Sequence, residues 1–305
     1  MYNIIQHSNT ELATINKSFS LFMESINNRL SPSTAKTYLV HTEDFKQWFI
    51  STPMTQNLPE HLQKYRAYLI ERYNSAKSIN LALSSVRSLY RFLHEQNIVS
   101  SDPTVNLKNI KENQGVRRSA LSREQIAVIL HKLNTSQKLK AKRDRTIFLL
   151  LTMNGLRVSE LCNLKIEDID LHQGARVAYL LRKGYTDKTA YVKLQDKTYA
   201  MILDFIGTRT SGYVFTGSNG EKLHSDSVSR IVKKIFRDSG YDSAKLTCHS
   251  LRHTYAILSL EGGSTLVSLM NSMNHKNPGT TAHYLHSFDR INNSAEDAVS
   301  LDFDA

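Results

Sequence analysis

The sequence predicts a mostly α protein with a small β-sheet: an N-terminal helical bundle followed by a mixed α+β domain. Three observations lead there. Apolar residues recur at helical spacing through the first third of the chain; the pattern then fades into a polar, basic stretch; and beyond it helical segments are interrupted by strand-like alternation on either side of a turn. A chain of 305 residues is long for one small core and comfortable for two domains.

Ile15, Phe19, Phe22 and Ile26 mark the first helix. The second opens with Ser31 as N-cap and Pro32 in the first turn, and buries Tyr38, Phe45, Trp48 and Phe49 on one side. Pro59 opens a third through Leu62, Tyr65 and Leu69, and a fourth runs from about Ser78 with Ile79, Val86, Leu89, Tyr90 and Leu93 inward. A bundle of four or five helices follows, its aromatics being core, since a stripe at helical period is explained by burial. After Asp102-Pro103 the stretch KNIKENQGVRRSA lacks apolar anchors, so residues 109–119 read as an extended linker between a domain at 11–108 and a second at 120–290. Order resumes at Ser122, which forms a capping box with Gln125 ahead of Ile126, Ile129, Leu130 and Leu133.

In the second domain a helix through Ile147 to Thr152 stops at Asn154-Gly155. Alternation over Ala175 to Leu181 and Ala190 to Leu194 brackets the turn KGYTD and predicts a β-hairpin. Helices are expected around Asp196 to Phe205, Ser225 to Asp238, His249 to Leu260, Thr265 to Met273 and Thr280 to His286. Residues 291–305 form a weakly amphipathic tail through Ile291, Ala295, Ala298, Val299 and Leu301, either a docking segment or a frayed end.

Lysine and arginine number 39 against 28 acids, a net charge of +11, which favours a polyanionic partner such as nucleic acid. Two cysteines, Cys162 and Cys248, without a CxxC pattern suggest neither a disulfide framework nor a cysteine zinc site. With no signal-like N-terminus and no apolar run of membrane-spanning length, a soluble cytoplasmic protein is expected.

Four segments concentrate cationic and proton-transfer groups beside helix starts or turns, where a phosphate is readily bound: NGLRVSELCNL at 154–164, LLRKGYTDKT at 180–189, HSLRHTYA at 249–256 and MNHKNPGTTAHYLH at 273–286. Arg157 follows a glycine that can end a helix and precedes a short helix with Glu160; alone, it would read as a surface arginine with an intrahelical partner. His249 and Arg252, three apart, share a helix face, so an imidazole and a guanidinium can converge on one phosphate. Arginine suits this role because its planar fork donates two parallel hydrogen bonds and stays charged. His249 and His253 at i, i+4 and His283 and His286 at i, i+3 raise a metal site, but no HExxH glutamate follows His249 and Arg252 would repel a cation, so neither metal nor cofactor is expected.

The segments GLRVSEL, HSLRHTYA and NH followed by TTAHYLH resemble the motif boxes of the tyrosine recombinase (phage integrase) family, in the same order. INLALSSVRSLYRFLHEQNIVSSDPTVNLK resembles that family's core-binding domain. The resemblance implies site-specific cutting and rejoining of DNA through a 3'-phosphotyrosine and a Holliday junction, by a tetramer on double-stranded DNA. It also implies roles: Arg157 and Arg252 as phosphate clamps, His249 and His275 beside them, Lys183 as proton donor to the leaving oxygen, Tyr284 as nucleophile and Glu160 as support for Arg157. Lys188 rivals Lys183. Tyr255 rivals Tyr284, and its place beside Ile257 and Leu258 assigns it to core. The chain has Met273-Asn274-His275 where the family mostly has Leu-Gly-His, which leaves the role of His275 open. A type IB topoisomerase, or an idle DNA-binding regulator on the same scaffold, are the alternatives. The short stretch before the first helix resembles the two-domain members such as Xer, Cre and transposon resolvases. Dimer resolution, cointegrate resolution and integration of a mobile element all fit.

Overall fold

The structure, a computed structural model, describes residues 9–55, 57–111, 120–135, 137–181 and 187–274. The chain divides into two compact units, Met1–Gly115 and Val116–Ala305.

The described part of the first unit holds four helices: α1 (Asn9–Arg29), α2 (Pro32–Ser51), α3 (Leu58–Arg72) and α4 (Ala76–Glu95). Their apolar stripes form one core around Phe22, Phe45, Tyr65, Leu83 and Val86, all essentially inaccessible to solvent. Phe45 lies at its centre, its ring 4.7 Å from that of Tyr65 in an edge-on contact. Asn57 caps α3 by accepting a hydrogen bond from the Glu60 amide at 2.9 Å. Ser31 stands at the α2 N-cap position with extended backbone, though its hydroxyl meets that of Thr34 rather than a backbone amide.

The expected linker, residues 109–119, is described only at its start. Residues 109–111 lie on the bundle: Asn80 donates to the Ile110 carbonyl at 2.9 Å and accepts from the Ile110 amide at 2.8 Å, while Arg87 donates to Leu107 O and Asn109 Oδ1. A polar segment low in apolar residues is thus held by side-chain hydrogen bonds to its backbone, which hydrophobic periodicity cannot reveal. The remainder, 112–119, lies outside the described residues.

The second unit contains α5 (Arg123–Asn134), α6 (Leu139–Met153), α7 (Val158–Asn163), strands β1 (Ile169–His172), β2 (Ala175–Leu180) and β3 (Ala190–Lys193), then α8 (Asp196–Ile206), α9 (Ser225–Asp238), α10 (Cys248–Glu261) and α11 (Leu266–Met273). Ser122 and Gln125 form the expected capping box. The nearly all-apolar stretch of α6 puts Ile147, Phe148, Leu150 and Leu151 at the centre of a second core. The sheet is antiparallel in the order β1-β2-β3, with Ala178 opposite both Ile169 and Val192. The expected hairpin is β2 and β3, and β1 is an addition to it. β1 reaches β2 through Gln173 and Gly174, both at positive φ (49° and 77°), the conformation of a type I′ turn. The aspartate in Ile-Asp-Leu-His and the Gln-Gly turn are weak strand and hairpin signals, so β1 was not legible. The hairpin turn with Lys183, the segment with His275, the helix expected at 280–286 with Tyr284, and the tail at 291–305 lie outside the described residues. No described helix is long and apolar enough to cross a membrane.

Candidate active site

Helix α6 ends at Asn154, and Gly155 follows at φ 62°, a left-handed conformation that turns the chain sharply into α7. Asn154 is buried and donates to the Lys193 carbonyl at 2.8 Å, fastening this corner to β3. Arg157 is then the N-cap of α7, and Glu160, at its third position, accepts from the Arg157 amide at 2.8 Å. The same carboxylate takes the Arg157 guanidinium: Nη1 to Oε1 is 2.8 Å.

Arg252 comes from α10, whose first turn is set by the Thr247 amide donating to Ser250 Oγ and by Ser250 Oγ donating to the Lys245 carbonyl. Its side chain is buried, with Nη1 3.9 Å from Glu160 Oε2, Nη2 donating to Met273 O at 2.5 Å, and Nη1 also donating to Gly155 O. Arg157 Nη2 stands 3.5 Å from the Asn274 carbonyl. The two guanidiniums, 95 residues apart in sequence, therefore share one carboxylate that is only 3% exposed. Glu160 screens their mutual repulsion, and the backbone carbonyls fix the plane of Arg252. A pair of forks with net positive charge, one buried and one a third exposed, suits an anion with several oxygens. His249 is exposed at the start of the same helix and His253 is half-buried one turn on.

Lys188 has a carboxylate partner of its own. It is ion-paired to Asp168, which is 10% exposed and also accepts from the Lys165 amide at 2.8 Å. Asp168 is not among the residues predicted from sequence; its signal is a carboxylate directly ahead of a strand in Ile-Glu-Asp-Ile-Asp. Tyr255 is half-buried and belongs to a small cluster with Ala256, Leu269 and Met273. Cys162, on α7, and Cys248, at the start of α10, are free, buried thiols whose pKa values are pushed up by burial. Among the described residues no three His, Cys, Asp or Glu side chains gather as metal ligands. Lys183, His275 and Tyr284 lie outside the described residues.

The sequence matches the phage integrase family over residues 119–290, more than half of the chain, and the phage integrase N-terminal SAM-like domain over 21–97. The chain belongs to the phage integrase family. Among curated phage integrase relatives, a tyrosine recombinase of Pseudothermotoga lettingae is 30% identical, over 87% of this chain and 92% of its own. Tyrosine recombinase XerD of Listeria monocytogenes serovar 1/2a is 27% identical, over 84% and 89%. In fold, the chain is similar to the XerH site-specific recombinase in its post-cleavage complex with palindromic difH substrate, with a TM-score of 0.75 at 18% identity over 97% of this chain and 90% of that one. The Tn1549 transposon integrase in complex with transposon right end DNA gives 0.70 at 17% identity, over 88% and 94%. This phage integrase family member is accordingly an enzyme, a site-specific DNA recombinase of the tyrosine type; the topoisomerase and idle-regulator alternatives are not favoured.

Proposed function

We propose that the chain cuts and rejoins a double-stranded DNA recombination site with Arg157, Lys183, His249, Arg252, His275 and Tyr284 as its catalytic residues and Glu160 as their support. The convergence of Arg157 and Arg252 on buried Glu160 is the observation that carries this reading. In the proposed reaction the Tyr284 oxygen attacks the scissile phosphorus. The phosphorus–5'-oxygen bond breaks, and a 3'-phosphotyrosine remains. The phenol, with an ordinary pKa near ~10, gives its proton to a base, for which the candidate is His249, exposed in the first turn of the helix that carries Arg252. The leaving oxygen takes a proton from Lys183. The guanidiniums stabilise the charge that builds on the non-bridging oxygens. Because the phosphoryl group stays covalently held, a 5' hydroxyl from another strand reseals it without ATP, metal or nucleotide.

Exchange between two duplexes takes four such sites and passes through a Holliday junction, so the working assembly is a tetramer on DNA, with residues 291–305 as its subunit-docking segment. In this proposal residues 11–108 form the core-binding domain, 109–119 the linker and 120–290 the catalytic domain. Cytoplasmic DNA is the substrate, in resolution of dimers or cointegrates or in movement of a mobile element.

The deciding test uses a nicked suicide duplex built on the sequence that this protein enriches from a random duplex pool. Denaturing electrophoresis is expected to show a covalent protein–DNA band that Tyr284→Phe abolishes. A band that survives this substitution would remove Tyr284 as the nucleophile.

A further inference from the structure

The Arg252 fork is held on two backbone carbonyls that come from different parts of the chain, Gly155 in the α6–α7 corner and Met273 at the end of α11. Backbone carbonyls make good guides only if their own segments are held in place. One side chain touches both segments. Tyr255 lies three residues after Arg252 on α10, on the same face of that helix. Its ring lies against Gly155 so closely that a methyl group there would overlap Cδ1 and sit 2.8 Å from Cε1. Its hydroxyl donates to Ser272 Oγ at 3.0 Å, and Ser272, bonded in turn to the Leu269 carbonyl at 3.0 Å, immediately precedes Met273. The glycine at 155 is thus required twice, by its positive φ and by the ring.

We propose that Tyr255 is a positioning residue for Arg252, spacing the Gly155 and Met273 carbonyls so that the fork faces the scissile phosphate. The inference rests on the reading of Arg252 as a phosphate clamp. It assigns the second tyrosine of the motif segments to geometry rather than to nucleophilic attack. Displacing either carbonyl tilts the guanidinium while leaving its charge in place, so DNA affinity is kept and the charge-developing step is slowed.

The test compares covalent-complex formation in single turnover on two nicked duplexes of the enriched sequence. One carries the ordinary scissile phosphate. The other carries a methylphosphonate, in which a methyl group replaces a non-bridging oxygen, so that the ground state is neutral and one negative charge fewer remains for the arginines to neutralise. Tyr255→Leu is expected to slow the phosphate substrate on the order of 100-fold, the effect of about an ångström of misplacement, and the methylphosphonate by less than ~3-fold, with DNA binding unchanged. Tyr255→Phe and Ser272→Ala keep the ring in place. Each should give a loss of about fivefold with the same substrate preference, and the double variant should be no worse than Ser272→Ala alone, because both break the same Tyr255–Ser272 hydrogen bond. Equal slowing on both substrates, or parental rates for Tyr255→Leu, would overturn the proposal. Arg252→Ala is the control: if it shows no substrate preference, the clamp reading itself fails, whereas preference in Arg252→Ala without preference in Tyr255→Leu removes only the role of Tyr255.

Discussion

A single carboxylate organises the charge at the candidate site. Glu160 is buried, bonded to the Arg157 amide and guanidinium, and near Arg252. Glu160→Gln leaves one acceptor oxygen for three donors and removes the negative charge between two cations. It should lower the cleavage rate more than tenfold and cost at most about 3 kcal/mol of stability, the usual buried-pair loss being reduced because Arg157 reaches solvent. Cleavage kinetics and denaturant unfolding measure the two effects separately. The two buried thiols give a second expectation at this scale. Burial raises the pKa of Cys162 and Cys248, so iodoacetamide at pH 8 should label neither in the native protein and both in denaturant, as read by mass spectrometry. The charged pair was legible in sequence through the spacing of Gly, Arg and Glu around a helix start. The carbonyl grips on Arg252 were not, because backbone acceptors 97 and 21 residues away leave no mark in residue type.

Among the elements, the sheet gives one of the two candidate lysines a partner. Lys188 is bound to Asp168 just ahead of β3, and Lys183 is the proposed proton donor. Lys183→Ala should slow cleavage, and a 5'-phosphorothiolate, whose sulfur leaves without needing a proton, should restore it. Lys188→Ala should show no such rescue. A rescue confined to Lys188→Ala would reverse the assignment. Helix starts were the most legible elements, since Pro32, Pro59 and the Ser122 box each act through local chemistry. Ser122→Ala should lower stability by about 1 kcal/mol, seen as a lower Tm. Strand β1 was illegible because its register depends on pairing with β2, a non-local choice that its own residues only weakly favour.

Over the whole molecule, the charge of +11 makes DNA affinity a function of salt. Raising salt from about 50 to 200 mM should weaken binding on the order of a thousandfold if some six phosphates are contacted, and a titration by fluorescence anisotropy measures the slope. Acid should weaken the helical unit through His41, a half-buried residue on α2 whose Nδ1 is buried without a hydrogen-bond partner among the described residues. Burial lowers its pKa below the usual 6.5, with Asp44 opposing this and Arg72 adding to it. The unfolded chain then binds the proton first, so stability falls as pH drops below about 6.5 and flattens below the lowered value. Hydrogen exchange in α2 and α3 should accelerate over that window, and His41→Phe should remove the dependence.

The two-unit plan could be read from composition, whereas the anchoring of the segment between the units could not. On one side Asn80 grips Ile110 from both its amide and its carbonyl; on the other, the Leu121 amide donates at 2.8 Å to the buried hydroxyl of Thr254. Thr254 lies two residues from Arg252 on the same helix. A pull on the chain where it enters the second unit is therefore delivered to the helix that carries Arg252.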